Sequence, residues 1–198
     1  MRNFVKFFSA ACIAAAGSLV MASCNNSTSA GAGNTQGDST TAKEKKYAEA
    51  VISPTFSDTA VNGTIEFEQE DNGKVKMELQ LTIPSKANKS VAVHIHEHGD
   101  CGDTGKNAHG HWNPTGSNHG KWGSGSFHSG DIGNVTLDSE GKGKMELETD
   151  LWSIGGDEKK NILNRSIIVH GGEDDYTSQP AGNSGTRIGC GLITEKKS

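Results

Sequence analysis

The sequence predicts an all-β fold, an antiparallel sandwich or barrel of about eight strands. Apolar and polar residues alternate through most of the chain after Tyr47, and no segment there sustains a helical period. Glycine-rich turn signals separate the alternating runs. Strands with one buried and one solvated face belong to antiparallel rather than parallel sheets.

The elements follow in order. A first strand is expected near Ala48–Thr55. Thr64–Glu68 and Val75–Ile83 alternate cleanly, and between them lies Asp71-Asn72-Gly73-Lys74. An Asn-Gly pair favours a tight hairpin turn because both residues tolerate positive φ. A second hairpin is expected from Val135–Leu137 through Gly141 to Met145–Leu147, and further strands at Val91–His96, at Ile167–His170 and at Ile188–Ile193. Residues 99–133 depart from this pattern, with ten glycines and almost no apolar periodicity. A loop of that length in a small domain needs another source of order. This one carries His111, His119, His128 and Asp131, and a bound metal ion would supply that order.

The first 46 residues read as export and tether. A cationic start, Met1–Lys6, precedes an apolar run from Phe7 to Met21, which suits a secretory signal over residues 1–23 better than a membrane-spanning helix. Met21-Ala22-Ser23-Cys24 resembles a bacterial lipobox, with methionine where leucine is commoner. On that reading Cys24 is lipidated and anchors the protein to a membrane; the alternative is ordinary cleavage, with Cys24 incidental. Asn25 in place of an aspartate retention signal points to the outer membrane, facing the periplasm. Low-complexity sequence after Cys24 forms a flexible tether over 24–46, and the folded domain occupies 47–198. Cys12 leaves with the signal, so Cys101 and Cys190 remain. In an oxidising compartment two such thiols usually pair, the alternative being two free buried thiols. The formal charge of −5 becomes more negative once Arg2 and Lys6 are lost, and the lysines are scattered. Nucleic-acid binding is not expected.

All eight histidines fall between residues 94 and 170. His94 and His96 are two apart on one predicted strand, so both rings project from the same face. Alone, that pair is weak evidence of a metal. His111, His119, His128 and Asp131 make a three-imidazole, one-carboxylate set, which by ligand type and number is a closed, structural zinc site.

Taken together, these blocks resemble the copper/zinc superoxide dismutase family over roughly residues 48–195. The resemblance rests on His94-Ile95-His96-Glu97, Gly99-Asp100-Cys101, His111-Trp112-Asn113-Pro114, His119-Gly120 and the run His128-Ser129-Gly130-Asp131-Ile132-Gly133-Asn134-Val135. It continues through Ile168-Val169-His170, Asp174-Asp175 and Gly182 to Gly191. It implies a Greek-key barrel with long metal-binding and electrostatic loops, and dismutation of superoxide anion to O₂ and H₂O₂. Copper would sit at His94, His96, His111 and His170, and zinc at His111, His119, His128 and Asp131. His111 would bridge the two ions and act in catalysis, and Asp174 would link a copper histidine to a zinc histidine. Arg187 would guide the anion to copper, and Cys101 and Cys190 would form the family disulfide.

The chain also departs from the family pattern. The segment between His170 and Arg187 is shorter than in animal enzymes, so the other charges that steer substrate are not assigned, with Lys106 and Lys121 as weak substitutes. His98 and His109 match no ligand position and are expected to face solvent or to support the ligands, the alternative being capture of an extra metal ion. The competing reading is a non-catalytic copper/zinc buffer or copper-delivery module. Delivery proteins of this fold usually lose copper ligands and add a cysteine-rich module, which this chain does not do. Association into a homodimer is left open.

Overall fold

The computed structural model describes residues 45–197; the expected signal peptide, the candidate lipidation site Cys24 and most of the expected tether lie outside the described residues. Among these residues nine strands form one antiparallel sheet: β1 (Tyr47–Pro54), β2 (Asn62–Gln69), β3 (Val75–Thr82), β4 (Ser90–His96), β5 (Gly133–Thr136), β6 (Lys142–Thr149), β7 (Ser166–His170), β8 (Arg187–Leu192) and β9 (Thr194–Lys196). The spatial order is β5-β4-β7-β8-β1-β2-β3-β6, with β9 beside β1. The β3–β4 and β6–β7 connections therefore cross between the two halves. β5 and β6 stand at opposite ends of that order, yet Gly143 of β6 packs directly on Val135 and Leu137, with no room for a Cβ. The sheet thus nearly closes into a barrel.

Alternation builds the core. Val75, Met77, Leu79 and Leu81 of β3 are all buried, and Met77 and Leu79 pair across to Phe67 and Ile65 of β2. Phe67 meets Trp152 edge-on, with ring centroids 6.0 Å apart. The Trp152 indole donates to the Ser129 carbonyl at 2.8 Å, tying the long loop to the barrel.

Two expectations need correcting. The Asn72-Gly73 turn is not a two-residue turn with both residues left-handed: Gly73 has φ +85°, whereas Asn72 is not among the positive-φ residues. The Gly73 N–H bonds the Glu70 carbonyl at 2.9 Å and Asn72 Oδ1 accepts from the Lys74 N–H at 2.8 Å. A type I turn closed by a left-handed glycine fits this pattern. The expected hairpin through Gly141 is also not formed, since β5 pairs with β4 and β6 with β3, so the chain there passes from one end of the sheet to the other. The expected last strand is β8, and a further short strand, β9, follows it. At the fully buried Ile193 the backbone turns aside to bond Arg165 and Asn164 instead of β1. The chain then pairs with a different stretch of β1.

Strand β4 positions the site. Val91, Val93 and Ile95 face the barrel core, and the opposite face, carrying His94 and His96, is buried beneath the 97–132 loop. That loop adds backbone bonds to the same strand: Ile95 N–H to Gly130 O at 2.9 Å and Trp112 N–H to Ile95 O at 2.9 Å. Gly130 is required here because a Cβ would run into the Ile95 carbonyl. A Cys101–Cys190 disulfide fastens the loop's start to β8. It closes a separation of 89 residues, so its reduction is expected to cost roughly 4 kcal/mol. Urea midpoints of the metal-free protein with and without reductant check this, and equal midpoints would contradict it.

Candidate metal centre

Two four-residue sets converge on the buried face of β4. In the first, one nitrogen from each of His94, His96, His111 and His170 lies within 4.8 Å of the others; in the second, the same holds for His111, His119, His128 and an oxygen of Asp131. All seven residues are buried. Ring centroids are 4.0 Å apart for His94–His111, 5.0 Å for His96–His111 and 5.1 Å for His94–His170. The family-implied ligand residues are therefore all brought together, in the groupings expected.

Each ring is held by one nitrogen and presents the other. His94 Nε2 meets Asp174 Oδ2 at 2.9 Å, His96 Nδ1 the His109 carbonyl at 2.9 Å, and His170 Nδ1 the Gly185 carbonyl at 3.2 Å. In the second set His119 Nε2 meets Asp174 Oδ1 at 2.9 Å and His128 Nε2 the Ser117 carbonyl at 3.0 Å. The opposite nitrogens, His94 Nδ1, His96 Nε2, His170 Nε2, His119 Nδ1 and His128 Nδ1, have no hydrogen-bond partner, and neither does His111 Nε2. His119 Nδ1 and His128 Nδ1 do lie 3.0 and 3.2 Å from the Asp131 carboxylate, outside hydrogen-bonding geometry. Buried polar atoms without partners are costly and rare, and six converging on two points mark positions for cations. Anchoring one nitrogen fixes the tautomer and orientation of the ligating one.

Electrostatics keep these rings ready to ligate. Burial pushes the pKa of His94 down and that of His96 far down; His111 falls to about 4 and His170 to about 3 for the same reason. Nearby imidazoles and Arg187 deepen the depression at His96 and His170. Burial also acts on His119, but its bond to Asp174 and the negative charges of Asp131 and Asp174 outweigh it and raise its pKa. For Asp131, burial is outweighed by bonds from His111 and His128, which hold the carboxyl below its usual range. A histidine whose folded pKa is depressed gives stability that is intact above its unfolded pKa of about 6.5 and lost as pH falls toward the folded value. Four such groups against one raised predict that the metal-free protein weakens between about pH 6.5 and 4, at up to about 1.4 kcal/mol per unit for each group. Denaturation across that range checks this; a flat profile would contradict it.

Arg187 lies beside the first set. Its Nη1 and Nη2 donate to the Gly105 and His109 carbonyls, each at 2.6 Å. The His109 carbonyl also bonds His96 Nδ1, so Arg187 and His96 share one acceptor. Burial alone displaces the Arg187 pKa, and no carboxylate pairs with it among the described residues. Lys106 instead faces Asp103 at 3.5 Å, and Lys121 sits 5.8 Å over the Tyr176 ring.

The sequence reading missed several supports. Asn134 exchanges two hydrogen bonds with the Asp174 backbone, at 2.8 and 2.9 Å. Gln179 does the same for His119, at 2.9 and 3.0 Å. Gly182, at φ +66°, leaves no space for a Cβ against Asp174 and His119. Asn134 and Gly182 lay inside recognisable blocks, but nothing marked Gln179.

The copper/zinc superoxide dismutase (SODC) family model matches residues 61–193. The Cu-Zn superoxide dismutase of Yarrowia lipolytica is 37% identical over 143 residues, covering 69% of this chain and 91% of that one. That of Schizosaccharomyces pombe is 36% identical over the same shares. Among solved structures, the clock protein EA4 superposes with a TM-score of 0.66 at 31% identity, covering 74% of this chain and 92% of the other. The matched span contains both ligand sets, Asp174 and Arg187, and on that span the chain belongs to the copper/zinc superoxide dismutase family.

Proposed function

We propose that superoxide dismutation by this chain takes place at a copper ion held by His94, His96, His111 and His170, beside a structural zinc held by His111, His119, His128 and Asp131. One observation carries the assignment: six buried imidazoles have one nitrogen tied to the protein or shared between the sets and the other left without a partner at two points of convergence. Three imidazoles and a carboxylate suit a closed zinc site, and four imidazoles suit copper.

Copper, when bound, supplies the one-electron couple that oxidises one superoxide to O₂ and reduces the next to H₂O₂. The chain's own residues supply charge, orientation and protons. Two superoxide anions and two protons give one O₂ and one H₂O₂. His111 alone belongs to both sets: its Nδ1 meets Asp131 at 2.8 Å, and its buried Nε2 has no hydrogen-bond partner. His111 Nε2 is therefore the atom placed to take up a proton and pass it to the reduced product. Arg187, with two of its N–H groups on carbonyls, has others left to meet a small anion. Asp174 holds His94 and His119 by one oxygen each, so it couples the orientation of the two sets.

The same reading places the protein outside the cytoplasm, lipid-anchored through Cys24 to a membrane, most simply the outer membrane facing the periplasm. The disulfide supports an oxidising compartment, and the Met21–Cys24 motif supports acylation. Radiolabelled fatty acid is expected in the wild-type protein and absent from Cys24→Ser.

Pulse radiolysis on protein loaded with copper and zinc tests the catalytic assignment. Fast superoxide decay is expected, lost when copper is chelated and regained with copper but not with extra zinc. Slow decay at full occupancy would instead favour the buffering alternative.

A further inference from the structure

We propose that Glu97, His98 and His109 form a third metal site, which takes a divalent transition-metal ion at the protein surface. None of these three side chains has a part in the reading above, although the proposal takes that reading's occupied centre as its starting state.

The site follows from the way the loop pairs with the end of β4. His96 bridges to His111 in antiparallel fashion. Beyond it the Glu97 N–H bonds Gly110 O at 3.0 Å and the His98 N–H bonds Ala108 O at 3.2 Å. The pairing thus continues past the buried centre and sets His98 against His109. Side chains two apart on an extended strand share a face, so the ladder carries one histidine pair inside and a second outside. The His98 and His109 rings have centroids 4.4 Å apart at 74°. A nitrogen from each and an oxygen of Glu97 fall within 4.8 Å of one another, and all three residues are exposed.

Two imidazoles and a carboxylate with open positions are a donor set for zinc or copper, water completing the shell. Among divalent first-row ions, copper(II) binds such nitrogen and oxygen donors most tightly. The backbone fixes where the His109 ring lies. His109 adopts φ 61°, ψ −141°, close to a region that is essentially reserved for glycine and costs other residues about 1–3 kcal/mol. That conformation turns the His109 carbonyl toward His96 and Arg187 and leaves its ring facing His98. The other six of the eight histidines belong to the buried centre. Any further ion bound through imidazole must therefore sit here.

Copper(II) titration of the full chain, already carrying one copper and one zinc by elemental analysis, tests the proposal. A third equivalent is expected, whose electron paramagnetic resonance signal shows coupling to two nitrogens. His98→Gln is expected to weaken that equivalent at least tenfold and Glu97→Gln several-fold, while both variants retain the first two ions. A third copper without nitrogen coupling, or one bound equally by His98→Gln, would overturn it. Loss of the first two ions would instead count against the assignment of the buried centre, and their elemental analysis separates the two failures.

Discussion

Asp131→Ala is expected to lose its zinc and to loosen residues 99–133 while the barrel stays folded. The carboxylate is fully buried and organises everything around it. It accepts from His111 Nδ1 at 2.8 Å and from the backbone N–H groups of His128 and Gly120 at 2.8 and 3.2 Å. His119 Nδ1 and His128 Nδ1 lie 3.0 and 3.2 Å from it. Alanine removes the one anion among three imidazoles and leaves the buried donors unpaired, at about 1–3 kcal/mol for each neutral one. The loop has little apolar packing to fall back on: it is held by Trp112, Ile132, the disulfide and the bonds to Ile95. Strand β3 and its pairing with β2 and β6 do not touch Asp131, so the core should persist. Zinc content by elemental analysis and cleavage sites under limited proteolysis provide the readout. Undiminished zinc with an uncut loop would refute the assignment of this set. Asp131→Asn sharpens the test, since it keeps the shape and one acceptor but removes the charge.

The parts of this molecule that were legible in the sequence are those set by residue type and period. Val75, Met77, Leu79 and Leu81 alternate because β3 has one face on the core, and His94 and His96 share a face because two residues separate them. The set of His111, His119, His128 and Asp131 was readable from ligand type within one loop, whereas the other set was readable only through the resemblance to a known family, because spacing alone does not bring His170 to His94. Features set by the path of the backbone were not legible. The carbonyls that fix His96, His128 and His170 belong to His109, Ser117 and Gly185, and any residue type supplies a carbonyl. The break between β8 and β9 at Ile193 is invisible for a related reason: an apolar residue within an alternating run gives no sign that its N–H and C=O bond elsewhere. His98 and His109 fall between these cases. Their residue type is conspicuous, but their proximity depends on how the loop pairs with the end of β4.

Arg187→Glu is expected to lower the superoxide rate on the order of 10- to 1,000-fold, the range over which electrostatic focusing acts, and to reverse its dependence on salt. The whole chain carries a formal charge of −5, so its average field repels the anionic substrate and a local cation must overcome that repulsion. Arg187 is suited to the task. Its guanidinium is fixed by two carbonyls rather than neutralised by a carboxylate, and one of those carbonyls also holds His96. In the wild type, added salt screens an attraction and the rate should fall; in the variant it screens a repulsion and the rate should rise. A defect in folding or metal binding would lower the rate without changing the sign of that slope, so the slope separates steering from damage. Arg187→Lys divides the charge from the fork: it keeps the cation but cannot bond both carbonyls in one plane. Its salt slope should keep the wild-type sign while its rate falls by less. If Arg187→Glu leaves both the rate and the slope unchanged at full copper and zinc content, the anion reaches the centre without Arg187, and its hydrogen bonds to the loop are its whole role.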